Sequence, residues 1–310
     1  MADDRPKTNS GPMSGGGLLV VGDVVTDVVA RHATALVHGT DTSARIRTLP
    51  GGAGANVACW AARSGCPDVR LLARVGADRA VWHRDALRRA GVRCLLAVDD
   101  DVPTATVVAL VDSAAERTFL TDSGAVLRLS PDDWSPSMLD GIAHLHLSGY
   151  LLFAATSRAT ALLALREARQ RRVTVSVDPA SAGFLAELGV DRFLTVVEGT
   201  DLLLPNADEA RLLTGLPEPS DAAAKLSLQV PRVVVTLGKG GALLAVAGTV
   251  TRRVPAVQVR DAVDSTGAGD AFTGGFLAAH LAGADDASAV AAGCRSGAEA
   301  VTTVGGRPGP

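Results

Sequence analysis

The sequence predicts an α/β fold, with a doubly wound, mostly parallel sheet flanked by helices and a small β-sheet projecting from it. Three observations lead to this prediction. Apolar runs rich in Val and Leu, typical of strands buried on both faces, recur along the 310 residues. Segments with the apolar spacing of helices separate these runs. Polar, glycine-containing loops follow the runs, at the positions where open α/β sheets bind ligands.

The elements can be assigned in order along the chain. Residues 1–17 are polar and rich in Gly, Ser and Pro, and we expect a disordered leader there, followed by one folded domain over residues 18–310. The expected strands are 18–21, 69–73, 144–147, 173–177, 201–204, 232–237 and 242–247. The expected helices are 57–63, 80–90, 157–172, 182–197, 208–214, 221–229 and 271–281.

Two segments interrupt this alternation. Residues 28–49 have no helical period, and residues 104–110 and 116–122 are typical of a hairpin around 112–115. We expect these lid segments, about 28–49 and 104–122, to pair as a small sheet outside the main one. The alternative is an irregular antiparallel edge of the main sheet.

Composition excludes several classes of protein. A net charge of −3, one Tyr and three Trp argue against a surface for nucleic acid. No run of 18 apolar residues occurs, so no membrane span is expected. The four dispersed cysteines indicate a reducing compartment, and we expect a cytoplasmic protein. His144 and His146 share a strand face but have no third ligand nearby in sequence, which disfavours a metal site.

The most informative motif runs from Asp264 to Asp270, where two carboxylates bracket small residues that open an apolar helix. The first N–H groups of a helix lack partners and, with the helix dipole, form a seat for an anion such as phosphate. Asp270 would repel that anion but could take a proton from an attacking hydroxyl. The alternative is an ordinary helix start, with Asp264 or Ser265 as N-cap and glycines in a tight turn.

Four further polar loops follow expected strands. They are residues 22–27, 51–56, 206–209 and 236–241. Asp27 and Asn56 supply the acceptor and donor groups that recognition of a polyol requires; otherwise they are a turn Asp and an N-cap Asn. Glu209 would otherwise be an acid that complements the dipole in the first turn of a helix.

In order and content, these motifs resemble the ribokinase-like, phosphofructokinase-B type carbohydrate kinases over about residues 18–306. Gly51-Gly52-x-x-x-Asn56 is similar to the N-terminal signature of that family. The segment 264–270 is similar to its C-terminal signature, and Asn206-x-x-Glu209 to its magnesium-associated motif.

The resemblance implies an ATP-dependent sugar kinase that uses Mg²⁺ and phosphorylates a primary hydroxyl. It implies that Asp270 is the catalytic base and that the amides of Gly267, Ala268 and Gly269 form the anion hole. The implied acceptor-binding residues are Asp27, Gly51, Gly52 and Asn56, and the implied nucleotide-binding residues are Asn206, Thr236, Gly238 and Gly240. Glu209 is implied to hold Mg²⁺ through water, and Asp264 with Thr266 fits a potassium loop. The resemblance also implies a lid that closes over the sugar and forms a homodimer.

The acceptor stays open between a sugar and a nucleoside such as adenosine or pseudouridine. Ribokinases carry Asn where this chain has Val25, and residues 146–150 lack the Glu that they use toward ribose. Val25 and the apolar lid residues Val107, Ala109 and Phe119 would suit a nucleobase.

Other classes of function fit less well. A dinucleotide-dependent oxidoreductase would need G-x-G-x-x-G, but the last position is occupied by Phe272, Val57 or Leu243 in the three places where the motif begins. A Walker A lysine loop is also absent from the sequence. A sugar-sensing pseudokinase is disfavoured by the presence of Asp270, Asn206 and Glu209.

Overall fold

Two β-sheets organise the chain, which we describe from a computed structural model over residues 15–113 and 117–309. Most of the expected leader (residues 1–14) and part of the expected hairpin turn (114–116) lie outside the described residues. The described strands are β1 (Gly17–Val21), β2 (Val25–His32), β3 (Ala44–Gly51), β4 (Val69–Gly76), β5 (Val92–Asp99), β6 (Ala105–Val111), β7 (Arg117–Asp122), β8 (Ile142–Ser148), β9 (Thr174–Asp178), β10 (Leu202–Leu203), β11 (Arg232–Thr236), β12 (Ala242–Val246) and β13 (Thr249–Val254). The described helices are α1 (Ala53–Arg63), α2 (Ala80–Arg89), α3 (Ala155–Gln170), α4 (Ala182–Leu188), α5 (Val190–Val197), α6 (Ala207–Thr214), α7 (Pro219–Leu226), α8 (Ala268–Leu281) and α9 (Asp286–Ala300).

The main sheet has the strand order β13-β12-β11-β10-β9-β8-β1-β4-β5. Its strands run parallel from β5 to β11, and β12 and β13 continue it in antiparallel pairing. The chain starts in β1, adds β4 and β5 on one side and later adds β8 to β13 on the other. This is the predicted doubly wound, mostly parallel sheet, and its direction of winding reverses beside β1.

Both faces of the main sheet are covered, as the continuous apolar runs predicted. In β1, Leu18 and Val20 enter a core with α1, α2, α8 and α9, whereas Leu19 and Val21 enter a core with α3 to α7. All four side chains are fully buried. Alternate side chains of one strand therefore hold the two helical layers on opposite faces.

The second sheet has the order β3-β2-β6-β7 and shares no strand with the main sheet. β6 and β7 form the predicted antiparallel hairpin, and β2 pairs with β6 in parallel. The small second sheet is thus confirmed, and the alternative of an irregular edge of the main sheet is wrong. The sheet starts at Val25 and omits residues 33–43, so the boundaries differ from the expected 28–49.

Several expectations about single elements need correction. The helix expected over 182–197 is two helices, because Gly189 adopts a φ of 92° between them. Strands β5 and β13 were not predicted. β13 is an edge strand whose exposed side chains give no apolar run, whereas β5 does contain an apolar run over residues 94–98 that was overlooked. Helix α9 was not predicted, since its Ala, Gly and Ser residues give a weak apolar period. Within the described residues, no helix has the length and apolar character needed to cross a membrane.

Candidate active site

The carboxyl ends of β1 and β8 meet at Asp23, a residue that the sequence analysis did not single out. Asp23 is 4% exposed and accepts hydrogen bonds from Ala53 N at 2.7 Å, Gly54 N at 3.0 Å and Ser148 Oγ at 2.8 Å. Its carboxylate therefore caps the start of α1 and links it to the end of β8. The sequence signal for it was an Asp two residues after the first buried strand.

A cavity of about 610 Å³, called cavity A below, lies between this edge of the main sheet and the second sheet. Its polar lining includes Asp23, Asp27, Asn56, Asp178 and Asp270. Its apolar lining includes Val25, Val107, Phe119, Tyr150, Phe153 and Phe184. Cavity A therefore combines hydrogen-bonding groups with aromatic side chains.

A second cavity of about 440 Å³, called cavity B, lies beyond the end of β11. Thr236 and Gly238 contribute to one wall, and residues 256–259 and α9 contribute others. Gly240 is not among the lining residues, although it belongs to the same short turn, Gly238–Gly240. Of the three loop positions expected to bind nucleotide, two therefore face the cavity.

The N-terminus of α8 lies between the two cavities. Thr266, Gly267 and Asp270 line cavity A, whereas Ser265, Ala268 and Gly269 line cavity B. A group held in one cavity can therefore meet a group held in the other at this helix end, where the dipole favours an anion.

The N-cap of α8 is Gly267, and no side chain caps the helix there. In the described part of the chain, the N–H groups of Gly267 and Gly269 have no hydrogen-bond acceptor, while Ala268 N lies 3.3 Å from the Ser265 carbonyl. Gly267 has a φ of 73° and packs so closely on Gly306 that a side chain would overlap it. The ordinary side-chain N-cap, the alternative for this motif, is therefore wrong.

Asp264 instead joins two loops. Its Oδ1 accepts from Thr266 N at 3.0 Å and Thr266 Oγ1 at 2.7 Å, and its Oδ2 accepts from Gly305 N at 3.0 Å. These bonds hold the segment that precedes α8 against the segment that follows α9.

Asp270 is joined to Asn56, a residue 214 positions away in sequence: Asn56 Nδ2 donates to Asp270 Oδ2 at 2.7 Å. Burial raises the pKa of Asp270 to about 8, with further contributions from Asp178, Asp23 and Asp27, while the bond from Asn56 opposes the rise. Asn56 lies within α1, whose N-cap is Gly52, so the alternative of an N-cap Asn is wrong.

Asp27 lies in β2 opposite Leu49, not in a turn. Its carboxyl contacts Gly51 so closely that a side chain there would overlap it. No hydrogen bond to this carboxyl is formed by the described residues. Burial raises the pKa of Asp27 to about 7; Arg307 opposes the rise, and Asp23 and Asp264 add to it.

Asn206 and Glu209 form a capping box at the start of α6. Asn206 Oδ1 accepts from Asp208 N and Glu209 N, each at 2.9 Å, and Glu209 Oε2 accepts from Asn206 N at 2.8 Å. Glu209 is 2% exposed, and burial together with Asp178 raises its pKa to about 8. Neither residue lines cavity A or B.

The donor chemistry around Glu209 and Asp178 fits Mg²⁺. Burial raises the pKa of both carboxyls, and Asp178 adds to the rise at Glu209; a divalent cation would favour their ionised forms, and Mg²⁺ prefers oxygen ligands. Among the residues described, no three His, Cys, Asp or Glu side chains form a ligand cluster. Mg²⁺ typically takes one or two carboxylates and completes its shell with water and phosphate oxygens, which such a site allows.

His144 and His146 hydrogen-bond to hydroxyl groups in the core. Ser176 Oγ lies 2.7 Å from His144 Nε2 and 2.8 Å from His146 Nδ1, and Thr174 Oγ1 lies 2.7 Å from His144 Nδ1. Burial lowers the pKa of His146 to about 3 and that of His144 well below its usual value, so both rings are neutral.

Comparisons with known proteins agree with this architecture. The sequence is 33% identical over 276 residues to a fructokinase from Klebsiella pneumoniae, covering 85% of this chain and 84% of that protein. The structure is similar to an adenosine kinase from Sinorhizobium meliloti, with a TM-score of 0.86, 21% identity and coverage of 94% and 96% of the two chains. It is also similar to a candidate ribokinase II from E. coli in complex with ATP and Mg²⁺, with a TM-score of 0.83, 25% identity and 94% coverage of both chains.

A family profile matches almost the whole folded chain. The profile of pfkB family carbohydrate kinases covers residues 17–310. It therefore includes both sheets, the α8 N-terminus and the segment after α9. The chain belongs to the pfkB family of carbohydrate kinases.

Proposed function

We propose that this protein transfers the terminal phosphoryl group of ATP to a primary hydroxyl of a small sugar. The observation that carries the proposal is the α8 N-terminus, which exposes Asp270 and Gly267 to cavity A and Gly269 to cavity B. Cavity A would hold the acceptor and cavity B the nucleotide. Phosphoryl transfer depends mainly on positioning and charge stabilisation, and a shared helix end between two cavities supplies both.

In the proposed reaction, Asp270 accepts the proton of the attacking hydroxyl. Its raised pKa of about 8 suits a general base near neutral pH. The N–H groups of Gly267 and Gly269, which meet no acceptor among the described residues, would stabilise the charge on the transferred group, while Ala268 contributes backbone to the same turn. Asp27, Gly51, Gly52 and Asn56 would form the acceptor contacts.

The proposed nucleotide contacts are Thr236 and Gly238 in the cavity wall, with Gly240 in the adjoining turn and Asn206 beside Thr236 in an isolated parallel bridge. Mg²⁺, when bound, would neutralise phosphate charge, and Glu209 would orient its water ligands. We also assign Asp264 and Thr266 to a K⁺ loop, because they already order the backbone beside the anion seat.

A nucleoside acceptor is the second candidate, and the aromatic lining of cavity A favours it. The chain has only seven Phe and Tyr residues, and four of them line this cavity. Tyr150 and Phe184 lie 5.4 Å apart between ring centroids, and Phe153 and Phe184 lie 4.7 Å apart. Such a cluster can pack against the flat aromatic face of a nucleobase, and a free sugar has no such face.

One assay separates these acceptors. ATP consumption is measured with D-fructose, D-ribose, adenosine and pseudouridine, each with wild type and with Asp270→Asn as the inactive control. Turnover of a sugar at least tenfold better than of either nucleoside supports the sugar kinase, and the reverse supports the nucleoside kinase. If none of the four is turned over above the Asp270→Asn background, the proposed function is wrong.

The second sheet has the position expected of a lid, and we propose that it closes over the acceptor and forms a homodimer through its outer face. Ile46 is 64% exposed and Leu120 is 58% exposed on this sheet. Ile46 pairs with Ala30 and Leu120 pairs with Val108, so both side chains lie on the face of the sheet that points away from Asp27. Use of ATP, together with four free cysteines, supports a cytoplasmic location.

A further inference from the structure

Arg307 is a buried cation that the proposed reaction leaves without a role. Its Nη2 donates to the Gly51 carbonyl at 3.0 Å. Its Nε and Nη1 are buried and have no partner among the described residues. Burial lowers the pKa of Arg307, because a guanidinium with unmet hydrogen bonds is costly to bury unless an opposite charge lies nearby.

The opposite charge near Arg307 is Asp27. The carboxyl of Asp27 rests against Gly51, the residue whose carbonyl Arg307 binds; a Cβ on Gly51 would lie 2.8 Å from Asp27 Oδ1. The two side chains form no direct ion pair in the described structure, but each acts on the charge of the other. Gly51 thus joins the buried cation to the carboxylate that lines cavity A.

The remaining charges near Asp27 have the wrong sign to stabilise it. Asp23 and Asp264 both favour its protonated form, as does burial. Asp270, whose pKa Asp27 helps to raise, carries a charge of the same sign. Arg307 is the group in this set that favours the carboxylate.

The other titratable neighbours of Arg307 are neutral. Burial raises the pKa of the Cys59 thiol to about 11 and also raises that of Cys94. Burial lowers the pKa of His83 to about 3, with Arg307 adding to the effect. Asp27 is therefore the charged partner available to this guanidinium.

We propose that Arg307 is the fixed counter-charge of Asp27, which keeps that carboxylate ionised in cavity A and, through Gly51, holds it in place. This inference rests on the proposed function, because it takes Asp27 to bind acceptor hydroxyls. An ionised carboxylate accepts from two hydroxyl groups, whereas a protonated one must donate one of its bonds. Arg307 acts through Asp27 and is a positioning residue.

The test is Arg307→Met, which keeps much of the side-chain length and removes the charge. Loss of a nearby opposite charge should raise the titration midpoint of Asp27 by about one unit. From a pKa of about 7, the ionised fraction at pH 7 would then fall about fivefold, and kcat/KM for the acceptor should fall with it. The deficit should disappear near pH 9, and KM for ATP should not change. Arg307→Lys should restore most of the wild-type pH profile.

The matched control is Arg253→Met, which removes an exposed arginine of β13. It should leave the pH profile as in wild type. A merely structural Arg307 would give a lower melting temperature and a loss of kcat/KM by the same factor at every pH. The proposed role instead predicts a deficit that depends on pH and disappears near pH 9, whatever the change in melting temperature.

A second measurement does not need turnover. The carboxyl ¹³C signal of Asp27, assigned by its absence in Asp27→Asn, is titrated in wild type and in Arg307→Met without ligands. A rise of the midpoint supports the proposal even if no acceptor is phosphorylated, in which case only the proposed function fails. An unchanged midpoint overturns the proposal, whatever the kinetics show.

Discussion

Replacing Asn56 by alanine should move the pH dependence of the reaction to higher pH. Asn56 Nδ2 donates to Asp270 Oδ2 at 2.7 Å and stabilises the carboxylate form of the proposed base. Without this bond, burial and the charges of Asp178, Asp23 and Asp27 act unopposed, and all of them favour the protonated form. The pKa of Asp270, already about 8, should therefore rise further.

The size of the shift follows from the strength of the bond. A hydrogen bond to a charged group contributes roughly 1.5–3 kcal/mol. One pKa unit corresponds to about 1.36 kcal/mol, so the shift should be about one to two units. A base is active when deprotonated, and at pH 7 its deprotonated fraction would fall from about one in ten to roughly one in a hundred or one in a thousand. Hence kcat/KM at pH 7 should fall about 10- to 100-fold, and the deficit should shrink as pH rises.

The assay is kcat/KM for the acceptor between pH 6 and 9.5 with saturating Mg·ATP, since this ratio reports ionisation of the free enzyme. Gln229→Ala, which removes an exposed carboxamide just after α7, is the control and should keep the wild-type midpoint. If Asn56 only contacts an acceptor hydroxyl, its loss lowers kcat/KM by one factor at all pH values. Such a parallel profile would refute the reasoning.

Three further substitutions test single roles. Asp270→Asn should lower kcat by about 10²-fold or more while the calorimetric Kd for ATP stays near that of wild type; a kcat within tenfold of wild type would mean that another group is the base. Glu209→Ala should raise the Mg²⁺ concentration for half-maximal rate by about 10–100-fold. It should also lower the melting temperature, because Asn206 N loses its acceptor; a lower melting temperature with an unchanged Mg²⁺ titration would leave only the capping role. Asp27→Ala should cut kcat/KM by about 10²-fold with little change in melting temperature. A near-normal kcat/KM with a lower melting temperature would mean that Asp27 does not bind the acceptor.

The sequence was most informative where local rules determine position. Buried strands were visible as apolar runs, and the loops after them were expected at one sheet edge, which is where Asp27, Asn56 and Asp270 lie. The short turn before α8 required small residues, and the left-handed φ of Gly267 explains why glycine occupies the N-cap. The roles of these residues stay predictions that the kinetic tests address.

Contacts between distant segments could not be read from local patterns. Tyr150 and Phe184 meet across 34 positions because they follow different strands, and neither stands in a recognisable motif. Arg307 lies in the segment after α9, where the sequence has no hydrophobic periodicity from which its position could be predicted. The Asn206-x-x-Glu209 pattern does encode a capping box, whereas from the sequence we predicted only that Glu209 holds Mg²⁺ or complements the helix dipole.

Capping and metal binding by Glu209 are compatible because a carboxylate has more acceptor sites than the cap uses. Glu209 Oε2 accepts one N–H bond from Asn206, whereas an ionised carboxylate offers about four lone-pair positions. The cap fixes the orientation of the side chain, so its remaining oxygen sites keep a constant direction. The raised pKa of about 8 reflects burial and the nearby Asp178, and a divalent cation would favour loss of that proton. In the proposed function, the same two residues would stabilise α6 in the free protein and present an oriented carboxylate to hydrated Mg²⁺ when nucleotide binds.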